Sequence, residues 1–584
     1  MSPASPRRRL PLPSWLPASR WLADYQRRDL SADGLAAVIV TLMLIPQSLA
    51  YALLAGVPAQ MGLYASILPL VAYALFGSSR TLAVGPVAVI SLMTAAAAGQ
   101  VAGGDSATFL LATTVLALLS GLMLVGMGLL RLGWVANLLS HSVIGGFISA
   151  SGLLIAASQL KHLLGIPLHG DTLWALGASL LAQSGRIQWI TVILGLLTLA
   201  FLFWARSGLK SLLARTRLSA SAADLVSKAA PVLAVILTTL AVEGLDLRRA
   251  GVATVGAIPG GLPALSLPAF DAELWRALLL PALLISLIGF VESVSVAQTL
   301  AAKRRQRIDS NAELTGLGMA NLASAVSGGF PVTGGFSRSV VNFDAGARSP
   351  LAGILTAMGI ALTALFFTPW FQALPKATLA ATIIVAVLSL VDLGALARTW
   401  RYSRADGLAM AVTMAGVLLM GVEVGVIAGV LSSLLLFLWR TGQPHVAELG
   451  QVPGTEHFRN VQRHQVQVSP SVLSLRVDES LYFANARHLE DQIYDCVMQR
   501  PQIRHVVLLC SAVNQIDASA LDSLESLNQR LGDAGVTLHL SEVKGPVMDR
   551  LRRSPFPKHL HGRIFLTHFD ALRALDPASL APPP

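Results

Sequence analysis

Two isolated charges stand out among otherwise apolar stretches of this 584-residue chain. Glu292 is the lone acid between Leu278 and Leu300. An ionisable side chain in such a stretch is costly and marks a functional candidate by default. Surrounded by apolar groups, a carboxyl is suited to gain and lose a proton. A sodium site is the rival reading, but it needs several oxygen ligands. Ser295 and Thr333 can contribute to one, whereas Val296 cannot. A purely structural role for Glu292 stays open. Arg338 is the second isolated charge, set among Phe336, Ser337 and Ser339. Here too a structural partnership, with Glu292 for example, competes with a role towards a solute.

The surroundings of these charges repeat. Gln47 lies 39 residues before Pro86, and Glu292 lies 39 residues before Pro331. Both prolines precede Val in Gly-rich stretches, Leu82–Ser91 and Gly328–Ser337, and each is expected to open a short apolar helix. Short Gly/Pro-interrupted segments at matching positions of two halves point to a transporter's midplane site. Two unrelated Pro-kinked helices are the bland alternative. Gln47 and Tyr51 are i and i+4, hence on one helix face.

Elements of spanning length must carry these residues. A spanning helix needs about 20 mostly apolar residues. Candidates centre on 35–54, 62–77, 86–98, 108–130, 141–160, 188–205 and 229–243, then on 277–298, 313–327, 337–347, 351–371, 378–391, 407–420 and 424–439. Seven plus seven, with an odd number per half, makes the halves inverted. The apolar segment 172–184 reads as an interfacial helix.

Hydrophobic residues make up 54% of the chain and charged ones 13%, which excludes a single water-soluble protein. The formal charge is +11. It divides as about +4 in residues 1–29, +8 in 30–440 and −1 in 441–584. The excess therefore belongs to the apolar part, and nucleic-acid binding has no support. With the N-terminus inside, the inward loops hold Arg80, Arg131, Arg206, Lys210, Arg215, Arg217, Lys228, Lys303, Arg304, Arg305, Arg307, Arg348, Arg398, Arg401, Arg404 and Arg440. The opposite loops hold only Lys161, Arg186, Arg248, Arg249, Arg276 and Lys376. This bias places both termini in the cytoplasm.

The division of the chain follows. Residues 1–29 read as a flexible cytoplasmic arm and 30–440 as the transport domain, with repeats at about 30–245 and 273–440. Residues 441–470 read as a linker. In 471–578, Val472–Val477, His505–Leu509 and Val536–Leu540 read as strands, and Arg487–Met498 and Ser519–Leu531 as helices. That alternation predicts a small α/β domain. Cys496 and Cys510, the two cysteines, lie there, so no disulfide framework is expected. No Walker loop, no zinc-spaced His/Cys cluster and no nucleophile–base pair is evident, so neither enzymatic activity nor a cofactor or metal is expected.

The run Pro46-Gln-Ser-Leu-Ala-Tyr51, with Gly62-Leu-Tyr64, Phe76-Gly-Ser-Ser-Arg80 and Val84-Gly-Pro-Val, resembles the sulfate-permease (SulP) signature. The likeness continues through Phe330-Pro-Val-Thr-Gly-Gly-Phe-Ser-Arg-Ser339 and into a tail resembling the STAS domain, at Ile516-Asp-Ala-Ser-Ala520. The resemblance implies an all-α polytopic membrane domain of about fourteen spans, as 7+7 inverted repeats, plus a small α/β STAS domain. Spans 1–4 and 8–11 would form a core and spans 5–7 and 12–14 a gate, in a homodimer embedded in the bilayer.

For the site, the resemblance strengthens a reading in which two half-helix N-termini hold an anion through backbone N–H groups and helix dipoles. Gly85, Gly334 and Gly335 would let backbone approach the ligand. Gln47 matches a polar ligand of span 1, Tyr51 an aromatic pocket wall, and Val87, followed by Ala88, a position that is aromatic in some relatives. Phe336, Ser337, Arg338 and Ser339 complete the expected substrate site, with capping as the alternative for the serines. Glu292 is the expected coupling residue, with a proton favoured over sodium. Ser519 matches a phosphorylated turn of bacterial anti-sigma-factor antagonists, with a plain helix-capping serine as the alternative. The implied function is proton-coupled symport of a small oxyanion, sulfate first, in a cell inner membrane. Bicarbonate with sodium, a C4-dicarboxylate, or a passive channel or exchanger are the alternatives.

Overall fold

Backbone polar groups in an apolar surround must be paired within their own segment, so apolar stretches of spanning length fold as helices. The computed structural model describes residues 16–580, apart from 139, 210–211 and 213–229. Lys210, Arg215, Arg217 and Lys228 of the loop-charge argument lie outside the described residues. The chain divides into two units, Met1–Ser433 and Leu434–Pro584.

In the first unit, each predicted span is helical. The first half runs through Arg27–Leu54, Ala59–Tyr64 with Leu68–Phe76, Ala88–Ala102, Ser106–Leu129, His141–Ser158, Trp189–Trp204 and Ala230–Gly244. The second runs through Ala272–Lys303, Ser310–Val326, Phe336–Asp344, Leu351–Phe366, Lys376–Leu388, Arg404–Met420 and Val422–Gly442. Among the described residues six helical segments are long and apolar enough to cross a membrane. The third element of each half is not. Ala88–Ala102 has 15 residues and Phe336–Asp344 has nine. At 1.5 Å per residue, these reach about 22 and 14 Å, short of a hydrocarbon layer of about 30 Å. Segment 172–184 contains a separate helix, Leu173–Gln183, with Trp174 and Leu181 exposed.

The most extensive helix contacts fall within two groups, which also touch where Lys376–Leu388 and Ala230–Gly244 meet Arg27–Leu54 and where Ala88–Ala102 meets His141–Ser158. Ser310–Val326 packs on Ser106–Leu129 and on Leu68–Phe76, and Leu351–Phe366 packs on Arg27–Leu54. Arg404–Met420 packs on His141–Ser158, and Lys376–Leu388 on Trp189–Trp204. These groups are the expected core and gate. On the outside, Trp189, Ile193, Leu197 and Trp204 expose one apolar stripe, as a lipid-facing helix requires.

The arm differs from its expected flexibility. Pro17–Ala23 is a helix, Trp21 is buried, and its indole Nε1 donates to the Ala74 carbonyl at 3.0 Å. A large aromatic with a polar edge explains the docking: burial removes apolar area while the N–H keeps a partner.

The repeats meet in two strands of two residues each, β1 (Val84–Gly85) and β2 (Thr333–Gly334), paired antiparallel as Val84↔Gly334 and Gly85↔Thr333. The local dyad of that pair makes Val84 equivalent to Thr333 and Gly85 to Gly334. Pro86 is then equivalent to Gly335, not to Pro331. The equal Pro spacing read from the sequence is therefore not the register of the repeat. Nor do the prolines open the helices: their N-caps are Val87 and Gly335. The second helix is amphipathic rather than apolar, with Arg338, Ser339 and Asn342 on its buried side.

The second unit is an α/β sheet in the order β4-β3-β5-β6-β7-β8. β5 (Val472–Val477), β6 (His505–Leu509), β7 (Thr537–Ser541) and β8 (Ile564–Phe565) are parallel neighbours. β3 (Val446–Gln451) and β4 (Phe458–Asn460) are antiparallel additions, so part of the segment expected as a linker extends the sheet. Helices Ala486–Met498 and Ala518–Asp533 cover the strands through Leu489, Ile493, Leu524 and Leu527. Ser519 is not the N-cap of its helix. Asp517 holds that position, accepting from Ala520 N at 2.8 Å and from Phe483 N at 3.0 Å. Ser519 is left exposed in the first turn. Cys496 and Cys510 are both free thiols. Burial pushes the Cys510 thiol up to about 12, so it stays protonated.

Candidate functional site

A cavity of about 340 Å³ opens where core helices face gate helices. The first span contributes Met43, Pro46, Gln47, Ala50 and Tyr51; the half-helix after β2 contributes Ser337 and Val341. The gate side supplies Leu202, Arg206, Ala230, Pro231, Thr382, Ile383, Val385 and Ala386. Gln47 and Tyr51 share the cavity face, as one helical turn between them requires. Neither side chain, nor that of Ser337, has a hydrogen-bond partner among the described residues. These are three polar groups directed at a cavity with nothing to bond, which is how ligand-orienting groups are arranged.

Beside the cavity, the two half-helices begin on either side of the β1–β2 pair. Neither first turn is closed by a side-chain cap. The leading amides of each helix therefore remain as donors, with the dipole favouring negative charge there. Val87 is half-buried and Ala88 buried at the first N-terminus, and neither lines the cavity. Phe336 is exposed at the second.

Arg338 is 2% exposed and lies between the two N-termini. Its Nη1 donates to the Pro86 carbonyl at 2.6 Å and its Nη2 to the Thr333 carbonyl at 3.5 Å. Nε is buried without a partner. The glycines around it are needed for room: a Cβ on Gly335 would sit 2.7 Å from Arg338 Nε, and one on Gly85 3.3 Å from Nη1. The guanidinium thus spans from the second repeat to the first. No ion pair joins it to Glu292, although Tyr51, Glu292 and Arg338 lie within electrostatic reach of one another.

Ser339 is engaged elsewhere. Its hydroxyl accepts from Ala83 N at 2.9 Å and donates to the Gly335 carbonyl at 2.7 Å, which locks the strand pair. Thr333 is similarly committed, donating to the Gly289 carbonyl and bonded to Ser293 Oγ, both at 2.7 Å. Ser293 in turn accepts from Gly334 N at 2.8 Å. This chain ties the helix that carries Glu292 to β2.

Glu292 itself faces a small apolar cavity lined by Val143, Ile144, Phe147, Ile148, Ile288, Val291 and Val426. Its carboxyl has no hydrogen bond or ion pair among the described residues. Ser295 is exposed. Of the side-chain oxygens weighed for a sodium site, Thr333 is thus engaged and Ser295 points elsewhere, and no group of three or more His, Cys, Asp or Glu residues suited to a metal occurs among the described residues.

A second buried acid escaped the sequence reading. Glu313 is fully buried and accepts from Tyr73 Oη (2.7 Å), Ser78 Oγ (2.7 Å), Ser78 N (2.9 Å) and Ser79 N (2.9 Å). It lies in the first turns of its helix, four residues after the N-cap Asp309, where an acid looks like ordinary dipole compensation. Only its being the single acid from Glu313 through Val326 could have flagged it.

Residues 30–413 match the sulfate permease family, and residues 463–571 match the STAS domain. Sulfate transporter 4.1, chloroplastic, of Arabidopsis thaliana is 35% identical over 565 residues, covering 94% of this chain and 81% of that protein. A probable sulfate transporter of Mycobacterium tuberculosis is 35% identical over 564 residues, covering 96% and 98%. Among solved structures, the murine Solute Carrier 26 family member A9 anion transporter superposes with a TM-score of 0.86 at 24% identity, covering 96% of this chain and 94% of that one. The transmembrane domain of a cyanobacterial bicarbonate transporter, BicA, gives 0.59 at 23% identity, covering 70% and 98%. At those identities the structural likeness establishes the fold.

Proposed function

The chain belongs to the sulfate permease family, and we propose that it is a secondary active transporter carrying a small oxyanion, sulfate first, together with a proton. One observation carries the anion part: two uncapped half-helix N-termini flank a buried arginine whose Nε has no partner, beside a cavity with free polar groups. Backbone amides and a fixed guanidinium supply positive potential without a mobile charge that would have to be desolvated. In this reading Gln47, Tyr51 and Ser337 orient the anion, and the amides of Ala88 and Phe336 lie at the positive ends that hold it. Val87 and Phe336 set the width between those ends. Ser339 acts indirectly, by locking the strands.

Glu292 is the coupling group in this proposal. A carboxyl among Val and Ile side chains, with no bonded donor and no neighbouring oxygen set, suits a proton better than sodium. Loading an anion and a proton together lowers the net charge that the core must carry past the gate, which is the basis of alternating access here. The named relatives supply the choice of sulfate as the first anion. Both termini lie in the cytoplasm of a cell with this protein in its inner membrane, and the assembly is a homodimer. Phosphorylation of Ser519 would place a dianion at a helix N-terminus, next to the unfavourable Asp517 carboxylate.

Uptake of radiolabelled sulfate, bicarbonate and succinate, under an imposed inward proton gradient, into vesicles holding the purified protein tests the reading. Accumulation of sulfate above the external concentration is expected. Equilibration without accumulation would make it a channel, and accumulation of another anion alone would move the substrate.

A further inference from the structure

Among the described residues, one charged side chain stands in the wall of the cavity between core and gate, and it is not that of Arg338. Among the described residues that line it, Arg206 alone is ionised, and no acid faces it. Arg206 follows the Trp189–Trp204 helix within a π-helical turn, Ala205–Leu209. Such widened turns are frequent at functional sites. Its Nη2 donates to the Val385 carbonyl at 2.7 Å. Val385 lies in the last turn of Lys376–Leu388, where carbonyls lack intrahelical donors. This bond uses one of five guanidinium N–H groups. Among the described residues Arg206 has no ion pair, and it is exposed.

On the opposite wall stand Gln47, Tyr51 and Ser337, the free polar groups described above. A solute in this cavity therefore meets a cation held by the gate on one side and neutral donors of the core on the other. Arg338 is committed to backbone carbonyls behind the strand pair and is fixed to the core.

We propose that Arg206 forms a second anion subsite on the gate side of the cavity, which favours divalent oxyanions over monovalent ones. This deepens the transport reading above and rests on it. The physical basis is that a guanidinium matches the oxygen pairs of sulfate-like ions in a bidentate manner, while its attraction scales with the charge of the ion. Because Arg206 belongs to the gate and the half-helices to the core, an anion that bridges them is bound tightly only when the two groups approach. Movement of the core away from the gate then hands the anion between the subsites.

The test compares Arg206→Gln and Arg206→Lys with the parent in vesicles, reading KM for sulfate and for a monovalent anion separately. The expected result is that Arg206→Gln raises KM for sulfate about tenfold, a loss of one charge-assisted contact, and changes the monovalent KM by less than about threefold. Arg206→Lys, which keeps the charge and loses the bidentate fork, should recover part of the sulfate KM. If Arg206→Gln does not fold, Arg206→Met, which keeps the apolar stem, replaces it. An unchanged sulfate KM in either neutral variant, with a lowered thermal midpoint, would show that Arg206 only caps Val385 and would overturn the proposal. A parent that takes up no anion would sink the transport reading alone. The subsite then stands or falls on whether sulfate raises the thermal midpoint of the parent more than that of the neutral variant.

Discussion

Two glutamates of the membrane unit, Glu292 and Glu313, have nearly identical sequence settings and opposite structural ones. Each is the single acid of a mostly apolar stretch, Glu292 within Leu278–Leu300 and Glu313 within Glu313–Val326. Glu313 is surrounded by donors: a tyrosine hydroxyl, a serine hydroxyl and two backbone amides converge on its oxygens. Glu292 is surrounded by Val, Ile and Phe side chains and bonds to nothing described. The difference teaches where a buried charge is structural and where it is free to do chemistry. A carboxylate that accepts four hydrogen bonds from the other repeat cannot change its proton without disturbing the contacts that join the repeats. One that accepts none can.

The contrast can be attacked from the structural side first. Glu313→Ala leaves the Tyr73 hydroxyl, the Ser78 hydroxyl and two amides without an acceptor in a buried site. Each orphaned group costs about 1–3 kcal/mol, so thermal unfolding in detergent should show a loss of at least about 3 kcal/mol or no folded protein. A midpoint within a few degrees of the parent would break the comparison. Next in size is Gly335→Ala, whose Cβ would collide with Arg338 Nε. Overpacking of this kind costs about 1–3 kcal/mol, and displacement of the guanidinium should weaken anion binding as well as stability. Tyr73→Phe removes one donor to Glu313 and leaves three. The expected loss is about 1–1.5 kcal/mol, with uptake unchanged, read by the same unfolding assay. Smallest is Glu292→Gln, expected within about 1 kcal/mol of the parent because no bonded partner is lost.

The same contrast explains how much the sequence could reveal. The spans of the first unit and, in the second, β5, β6, β7 and the helices Ala486–Met498 and Ala518–Asp533 follow from apolar runs and their periodicity, because burial of those faces is what forms them, whereas β3, β4 and β8 did not stand out. Gln47 and Tyr51 were legible as candidates through the family resemblance, helical spacing showing only that they share a face, and Ser337 through its place at the start of the second half-helix. The repeat register was not. Pro86 and Pro331 share a spacing, but the dyad of the strand pair makes Pro86 equivalent to Gly335, and backbone pairing leaves no mark in residue spacing. The destination of a hydroxyl was equally hidden: Ser337 and Ser339 are two residues apart, yet one faces the cavity and the other bolts Ala83 to Gly335. Glu313 was missed because its donors Tyr73, Ser78 and Ser79 are more than 230 residues away in the chain. Trp21 shows the converse error, a segment composed like a flexible arm that docks through one aromatic ring.

The central claim is that Glu292, unlike Glu313, is a proton-exchanging group linked to anion movement. Its most direct measurement is sulfate uptake into vesicles under an imposed inward proton gradient, parent against Glu292→Gln, at matched amounts of folded protein. The account predicts that the gradient drives accumulation by the parent and that the variant takes up sulfate only to equilibrium, with no response to the gradient. A variant that accumulates sulfate with the same dependence on the gradient as the parent would contradict it.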